Sequence, residues 1–452
     1  MSSIDLADGA ISRAVHDRRI DVSRHLARID EVNPLRCTGT VVQVVGLTIE
    51  AEGINSRLGE ICEILPDAGR VIHAEVVGFR DRRILLMPLG MMEGIRPGTP
   101  VVAAGGAFSV PVGDELLGRV IDGLGRPIDG KGPVHASHRY ATTSDSPAPL
   151  ARTRISRVLG TGVRAIDALL TCGRGQRMGI FAGSGVGKST LLGMIARNTE
   201  SDINVVGLIG ERGREVREFI ERDLGPEGLA RSVVVVSTSD QPALVRLKGA
   251  WIATALAEYF RDRGRDVTLM MDSVTRFAMA QREVGLAVGE PPASKGYTPS
   301  VFALLPRLME RAGTSDTGTI TAFYTVLVEA DDLNEPITDT ARSILDGHIV
   351  LSRELASENH YPAIDVLNSV SRVMPDVTPS EQQDAAGRLR ETMATYASAR
   401  DLINIGAYVR GSNPRIDHAI EAMPEVTRFL RQRPEEQVDY TDTVAQLQAI
   451  AG

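Results

Sequence analysis

The segment that most limits what this chain can become is Ala182-Gly183-Ser184-Gly185-Val186-Gly187-Lys188-Ser189. Glycines at alternate positions let the main chain wrap its N–H groups around an anion. An apolar run at 178–182 precedes the loop, and a helical pattern with Leu191, Leu192, Met194 and Ile195 follows it. Strand, glycine loop and helix in that order point the positive end of a helix at phosphate. Lys188 offers a mobile charge for β- and γ-phosphates, and Ser189 offers a hydroxyl to Mg²⁺. Gly183, Ser184, Gly185, Val186, Gly187, Lys188, Ser189 and Thr190 are therefore expected to line an ATP site. Ala182 is the one departure from the phosphate-loop pattern, standing where a glycine is usual.

Further strand-like runs at 204–209, 232–237, 267–271 and 320–328 alternate with helical patterns. One helix carries Trp251, Ile252, Ala255, Leu256, Tyr259 and Phe260 on an apolar side. Such alternation predicts an α/β fold with a mainly parallel sheet covered on both faces. The flanks read differently. Residues 1–33 suit an amphipathic helix, with Val22, His25, Leu26 and Ile29 on one side and Asn33-Pro34 at its end. It either packs on its own domain or docks a partner. Residues 34–104 hold short β-rich runs split by Gly, Pro and Asp, as in a small barrel or sandwich. Residues 105–375 form the nucleotide-binding domain, and residues 376–452 are helical. Ser380 with Gln383 suggests a capping box, and Pro424 is expected to interrupt or kink the last long helical run.

A phosphate loop needs a carboxylate for the metal shell. Asp272 ends the apolar run Thr268-Leu269-Met270-Met271-Asp272 and is the natural candidate. Ser273 follows it, so the general base must come from elsewhere. Gly210-Glu211-Arg212-Gly213-Arg214-Glu215 lies just past the run 204–209. Carboxyl ends of parallel strands open into the ligand crevice. Glu211 is then the candidate to orient and deprotonate water, Arg212 to reach the γ-phosphate, and Glu215 to hold Mg²⁺ through water. The alternative is a solvated charged loop.

Composition narrows the function classes. The net charge is −8 and aromatics make up 4% of 452 residues, with Phe79 alone between 35 and 104. A nucleic-acid reader wants basic surplus and stacking rings, so none is expected as a partner. Cys37, Cys62 and Cys172 are far apart in sequence and read as free thiols of a reducing compartment. No signal-peptide pattern or run of ~18 apolar residues is present, which predicts a cytoplasmic protein reaching membranes through partners.

Four motifs occur in the order found in catalytic subunits of rotary ATP synthases: 182–189, 210–215, Asp272-Ser273-Val274-Thr275-Arg276-Phe277, and 361–372. Within that superfamily the chain resembles the protein-export ATPases of flagella and of virulence-type type III secretion. Segments 289–302 and 346–353 carry the export-group likeness, and 182–186 with 406–414 lean flagellar. The resemblance covers nearly the whole chain. It implies a RecA-like core between an N-terminal β-barrel and a C-terminal helical domain, in a homohexamer that hydrolyses ATP with Mg²⁺. By position it makes Glu211 the catalytic carboxylate, Tyr361 the ring stacked on adenine, and Arg372 a finger given to the neighbouring subunit. It also implies a stator-like dimeric regulator at the N-terminal helix, a coiled-coil stalk in the ring, a membrane export gate, and export substrates with their chaperones. The alternatives weighed are an injectisome ATPase, an RNA-translocating hexameric helicase, a non-catalytic ring subunit, and a ring in which ATP serves assembly alone.

Overall fold

The computed structural model describes residues 38–452 apart from 68, 329–331 and 333. The expected docking helix at 1–33 lies outside the described residues. Strands β1 (Thr38–Val45), β2 (Thr48–Glu52), β3 (Glu60–Ile64), β4 (Ile72–Arg80), β5 (Arg83–Pro88) and β6 (Pro100–Ala107) close into a barrel in the order β1-β2-β5-β4-β3-β6. Inward residues such as Val41, Ile49, Ile64, Leu86 and Val101 fill it, as the period-2 alternation of a half-buried strand requires. Between Val45 and Thr48 the chain turns through Gly46 at φ 57°, a left-handed conformation that glycine adopts without strain.

The central domain is a nine-stranded sheet. Its strands are β7 (Arg119–Asp122), β8 (Arg177–Ala182), β9 (Ile203–Ile209), β10 (Ser232–Ser237), β11 (Asp266–Asp272), β12 (Thr319–Leu327), β13 (Gly347–Leu351) and β14 (Ile364–Ser371). They run in the order β14-β13-β8-β12-β11-β9-β10-β7, with Gly313–Thr314 added antiparallel to β12. All neighbours along that order are parallel except β13 and β14. Both faces are buried. Val205, Ile209, Leu269 and Met271 pack on one side, while Val206, Leu208 and Met270 pack on the other. That is why these strands read as continuous apolar runs.

Helices α1 (Arg164–Leu169), α2 (Lys188–Asn198), α3 (Gly213–Glu218), α4 (Ala243–Asp262), α5 (Val274–Val288) and α6 (Pro299–Met309) cover the sheet. Helices α7 (Ser380–Asn404), α8 (Pro414–Leu430) and α9 (Tyr440–Ala451) form the C-terminal layer on the α1/α2 side. Arg311 and Glu258 form a buried pair, and the same guanidinium donates to Thr142 O (2.7 Å) and Ser144 Oγ (2.9 Å). It thereby fastens the segment leading out of the barrel domain to the sheet domain.

One local expectation fails outright and another in part. Ser380 and Gln383 do not cap each other: Gln383 Nε2 donates to Pro375 O and Thr378 O instead. Pro379 is the N-cap residue, and its carbonyl accepts from the N–H groups of Gln382 and Gln383, so the turn before α7 competes successfully for the amide. Nor is α8 interrupted: it runs unbroken through Pro424. At that position the ring removes one main-chain donor from a helix held by tertiary packing.

Candidate functional site

The glycine loop leaves β8 at Ala182 and enters α2 at Lys188. Gly185 (φ 80°) and Gly187 (φ 88°) take left-handed conformations, and Gly187 is the residue that caps α2. Gly187 is also tight against an aromatic ring. A Cβ there would lie 3.4 Å from Tyr361 Cε1. Tyr361, 39% exposed, thus stands beside the loop although 174 residues of sequence separate it from Gly187. Ser189 and Thr190 occupy the first turn of α2, partly buried.

Three charged side chains converge at the carboxyl edge of the sheet. Lys188 Nζ is 2.5 Å from Asp272 Oδ1 and 3.4 Å from Glu211 Oε1. Asp272 is the last residue of β11, and Glu211 lies two residues beyond β9; the register sets Leu208 beside Asp272, so the parallel ladder brings the two carboxyls to one place. Burial alone would pull the Lys188 pKa down, but Asp272 and Glu211 outweigh it and the pKa is raised. The amine therefore stays charged. Glu211 is pushed up to about 7, first by burial, then by the Asp272 and Glu215 carboxyls, against the pull of Lys188. Gly210, at φ 74°, makes the turn that delivers Glu211. It sits so close to α5 that a Cβ would fall 2.7 Å from Arg276 Cβ.

Arg212 and Glu215 stand outside this cluster's buried core. The Arg212 side chain is 80% exposed and pairs with Glu215 Oε1 at 3.5 Å. Arg372 lies elsewhere. Its N–H donates to Asp346 O (3.0 Å) and its Nη1 to Leu345 O (3.1 Å), just before β13. Strand β13 is parallel to β8, so Arg372 sits at the amino edge of the sheet and Lys188 beyond the carboxyl edge. The six-residue β8 alone puts roughly 16–20 Å between those edges. Arg372 does not reach the loop of its own chain.

One participant has no motif. The Thr325 hydroxyl, on buried β12, donates to Asp272 Oδ1 at 2.7 Å and fixes that carboxylate from below. Thr325, a small hydroxyl residue inside Ala322-Phe323-Tyr324-Thr325-Val326-Leu327, was the available signal, for most buried hydroxyls take a partner.

Among the described residues, no three His, Cys, Asp or Glu side chains are grouped to cage a metal. Ser189, Asp272 and Glu215 are a sparse, oxygen-only set beside a phosphate loop. That suits Mg²⁺, which keeps several waters and takes its other ligands from phosphate oxygens. The same described residues contain no helix long and apolar enough to cross a membrane.

Comparison with known proteins gives a consistent picture. The family model described as "ATP synthase alpha/beta family, nucleotide-binding domain" matches residues 162–371. Its beta-barrel domain counterpart matches 41–105, and the "T3SS EscN ATPase C-terminal domain" matches 378–449. The flagellum-specific ATP synthase of Bacillus subtilis is 57% identical over 416 residues, spanning 92% of this chain and 95% of that one. The type 3 secretion system ATPase of Xanthomonas euvesicatoria is 52% identical, spanning 91% and 93%. The assembled ATPase EscN of the enteropathogenic E. coli type III secretion system superposes with a TM-score of 0.88 at 47% identity, covering 92% of this chain and 100% of that one. EscN in complex with its central stalk EscO superposes at 0.85, with 47% identity and the same coverage.

Proposed function

The chain belongs to the ATP synthase alpha/beta family, in the group that holds flagellum-specific ATP synthases and type III secretion ATPases, and from that premise we propose that it is the ring-forming ATPase of a flagellar protein-export apparatus. Its ATPase activity follows from the family. The observation that carries the catalytic assignment is the convergence of Lys188, Glu211 and Asp272 in front of a glycine loop that heads α2.

The loop N–H groups and Lys188 bind the β- and γ-phosphates. Ser189, with Asp272 and Glu215 through water, would hold Mg²⁺, which when bound neutralises charge on the phosphate oxygens. Lys188 must let go of Asp272 and Glu211 to meet the phosphates, and this frees Glu211. Glu211 then orients a water and takes its proton as the water oxygen bonds to the γ-phosphorus and the bond to the bridging oxygen breaks. Tyr361 is the platform for the base. Arg212, exposed beside Glu215, is the side chain assigned to reach the γ-phosphate. Arg372 completes the site of a neighbouring subunit, because its own is out of reach, and spreads the transition-state charge; such fingers are worth roughly 10³–10⁵ in rate.

EscN is known as an assembled ATPase and in complex with its central stalk. By that likeness this chain forms a homohexamer around a coiled-coil stalk. The remaining partners are a dimeric regulator, the membrane export gate, and chaperoned export substrates, met at the inner face of the membrane. A second reading is an injectisome ATPase, favoured by the type 3 secretion relative at 52% identity. Disrupting the gene and scoring swimming and external filaments separates the two. Loss of filaments, restored by the wild-type gene but not by Glu211→Gln, supports flagellar export driven by hydrolysis. Normal swimming overturns the flagellar assignment.

A further inference from the structure

The link between the C-terminal helices α8 and α9 is not a free connection. Gln432, only 4% exposed, is its buried centre. Its Oε1 accepts from Arg164 N (2.9 Å), while its Nε2 donates to Gly162 O (2.8 Å) and Glu436 O (2.9 Å). The amide therefore makes one acceptor and two donor contacts, and its orientation is fixed. Side chains of the nucleotide-binding domain hold the rest of the link by its carbonyls. Arg164 donates to Phe429 O (2.8 Å) and Arg431 O (2.6 Å) and pairs with Glu436. Arg197, in the last turn of α2, donates to Pro434 O (2.6 Å).

A segment pinned at so many points has one main-chain group turned toward the loop. The Gln432 N–H donates to Tyr361 O at 2.9 Å. Tyr361 in turn lies against Gly187. The path from Arg164 to the Tyr361 carbonyl is two hydrogen bonds joined by the covalent frame of Gln432, one to its side-chain amide and one from its main-chain N–H. Tyr361 is otherwise a partly exposed ring on a loop, with rotational freedom to lose on binding a base.

We propose that Gln432 is a positioning residue for the nucleotide base: its side chain locks the α8–α9 link onto α1, and its N–H holds Tyr361 over the glycine loop. The effect is on recognition of the base and not on the phosphate chemistry, because nothing in the path touches Lys188, Glu211 or Asp272. The inference rests on the reading of Tyr361 as the base platform. It also ties the placement of α8 to nucleotide affinity, since the residue that sets the ring belongs to the C-terminal layer.

The test uses the full chain, with Gln432→Ala, Gln432→Glu and Tyr361→Ala. Gln432→Glu keeps an acceptor for Arg164 N but sets a carboxylate against the Gly162 and Glu436 carbonyls. It serves if the alanine variant does not fold. Base–aromatic stacking carries about fivefold in affinity or more, so the KM for ATP is expected to rise by at least that factor in each Gln432 variant. The kcat should stay within about twofold. Magnesium tripolyphosphate, which has no base, should compete with an unchanged inhibition constant. An unchanged KM for ATP, or equal losses for ATP and tripolyphosphate, overturns the proposal. Tyr361→Ala separates the two levels. If it raises the KM while the Gln432 variants do not, only the positioning role of Gln432 falls. If it leaves the KM unchanged, the platform reading falls and takes the inference with it.

Discussion

Lys188 Nζ and Asp272 Oδ1 stand 2.5 Å apart, with the Thr325 hydroxyl on the same oxygen. On the proposed reading, the amine that binds phosphate is thus engaged by the carboxylate of the metal shell, and nucleotide entry would exchange one partner for another. Lys188→Ala removes the exchange and the phosphate contact together. Turnover should become undetectable, and Mg-ATP affinity measured by a fluorescent analogue should drop at least tenfold.

Glu211→Gln keeps the shape of the site and removes the base. General-base removal costs about 10²–10⁴ in rate, so kcat should fall in that range while nucleotide binding persists. Activity near wild type would remove Glu211 from the mechanism.

The same substitution has a pH signature in the nucleotide-free protein. The Glu211 carboxyl is raised from 4.5 to about 7, chiefly by burial. A raised folded-state pKa means the neutral carboxyl is preferred. Its contribution to stability is complete below about pH 4.5 and is lost as pH climbs through about 7. Glutamine cannot ionise, so Glu211→Gln should melt at higher temperature than wild type above pH 7, with the gap closing toward pH 5. A gap that does not vary with pH would contradict this.

Arg372 and Lys188 lie at opposite edges of one sheet, so in the proposed ring the two would serve different sites. Arg372→Ala should bind nucleotide normally and lose about 10³ in kcat. Mixing Lys188→Ala with Arg372→Ala should give more activity than either alone, because an intact loop then meets an intact finger across an interface. A mixture no better than its parts would place the finger elsewhere.

Thr325→Val deletes the hydroxyl beneath Asp272 without changing side-chain bulk. Supporting hydrogen bonds of this kind are worth about 10–100-fold in metal affinity or activity. The Mg²⁺ concentration for half-maximal turnover should rise, with little change in the melting temperature. An unchanged Mg²⁺ dependence would make Thr325 a packing residue only.

The parts of the site that are local in sequence were legible there. Glycine positions, Lys188, Ser189 and the strand-ending Asp272 sit within short windows whose chemistry is explicit. Parts made by register were legible only where a strand-end motif or the family resemblance marked them, as for Glu211 and Tyr361, and Thr325 had neither. Thr325 meets Asp272 only because β11 and β12 are neighbours, and Tyr361 meets Gly187 only through the packing of the sheet edge. The edge strand β7 escaped notice because its Arg119-Val120-Ile121-Asp122 is too short to show a period. Ser380 and Gln383 had the right spacing for a cap but lost to carbonyls supplied by residues 375–379, a competition that no window of spacing reveals.

The barrel at the amino-terminal end carries a last consequence. Its six strands close on themselves, so it offers no rim of unpaired amides onto which another strand could grow. Copies of this domain that meet must do so through side chains. They can come apart again without unzipping a hydrogen-bond ladder, and nothing in the geometry invites runaway fibre growth.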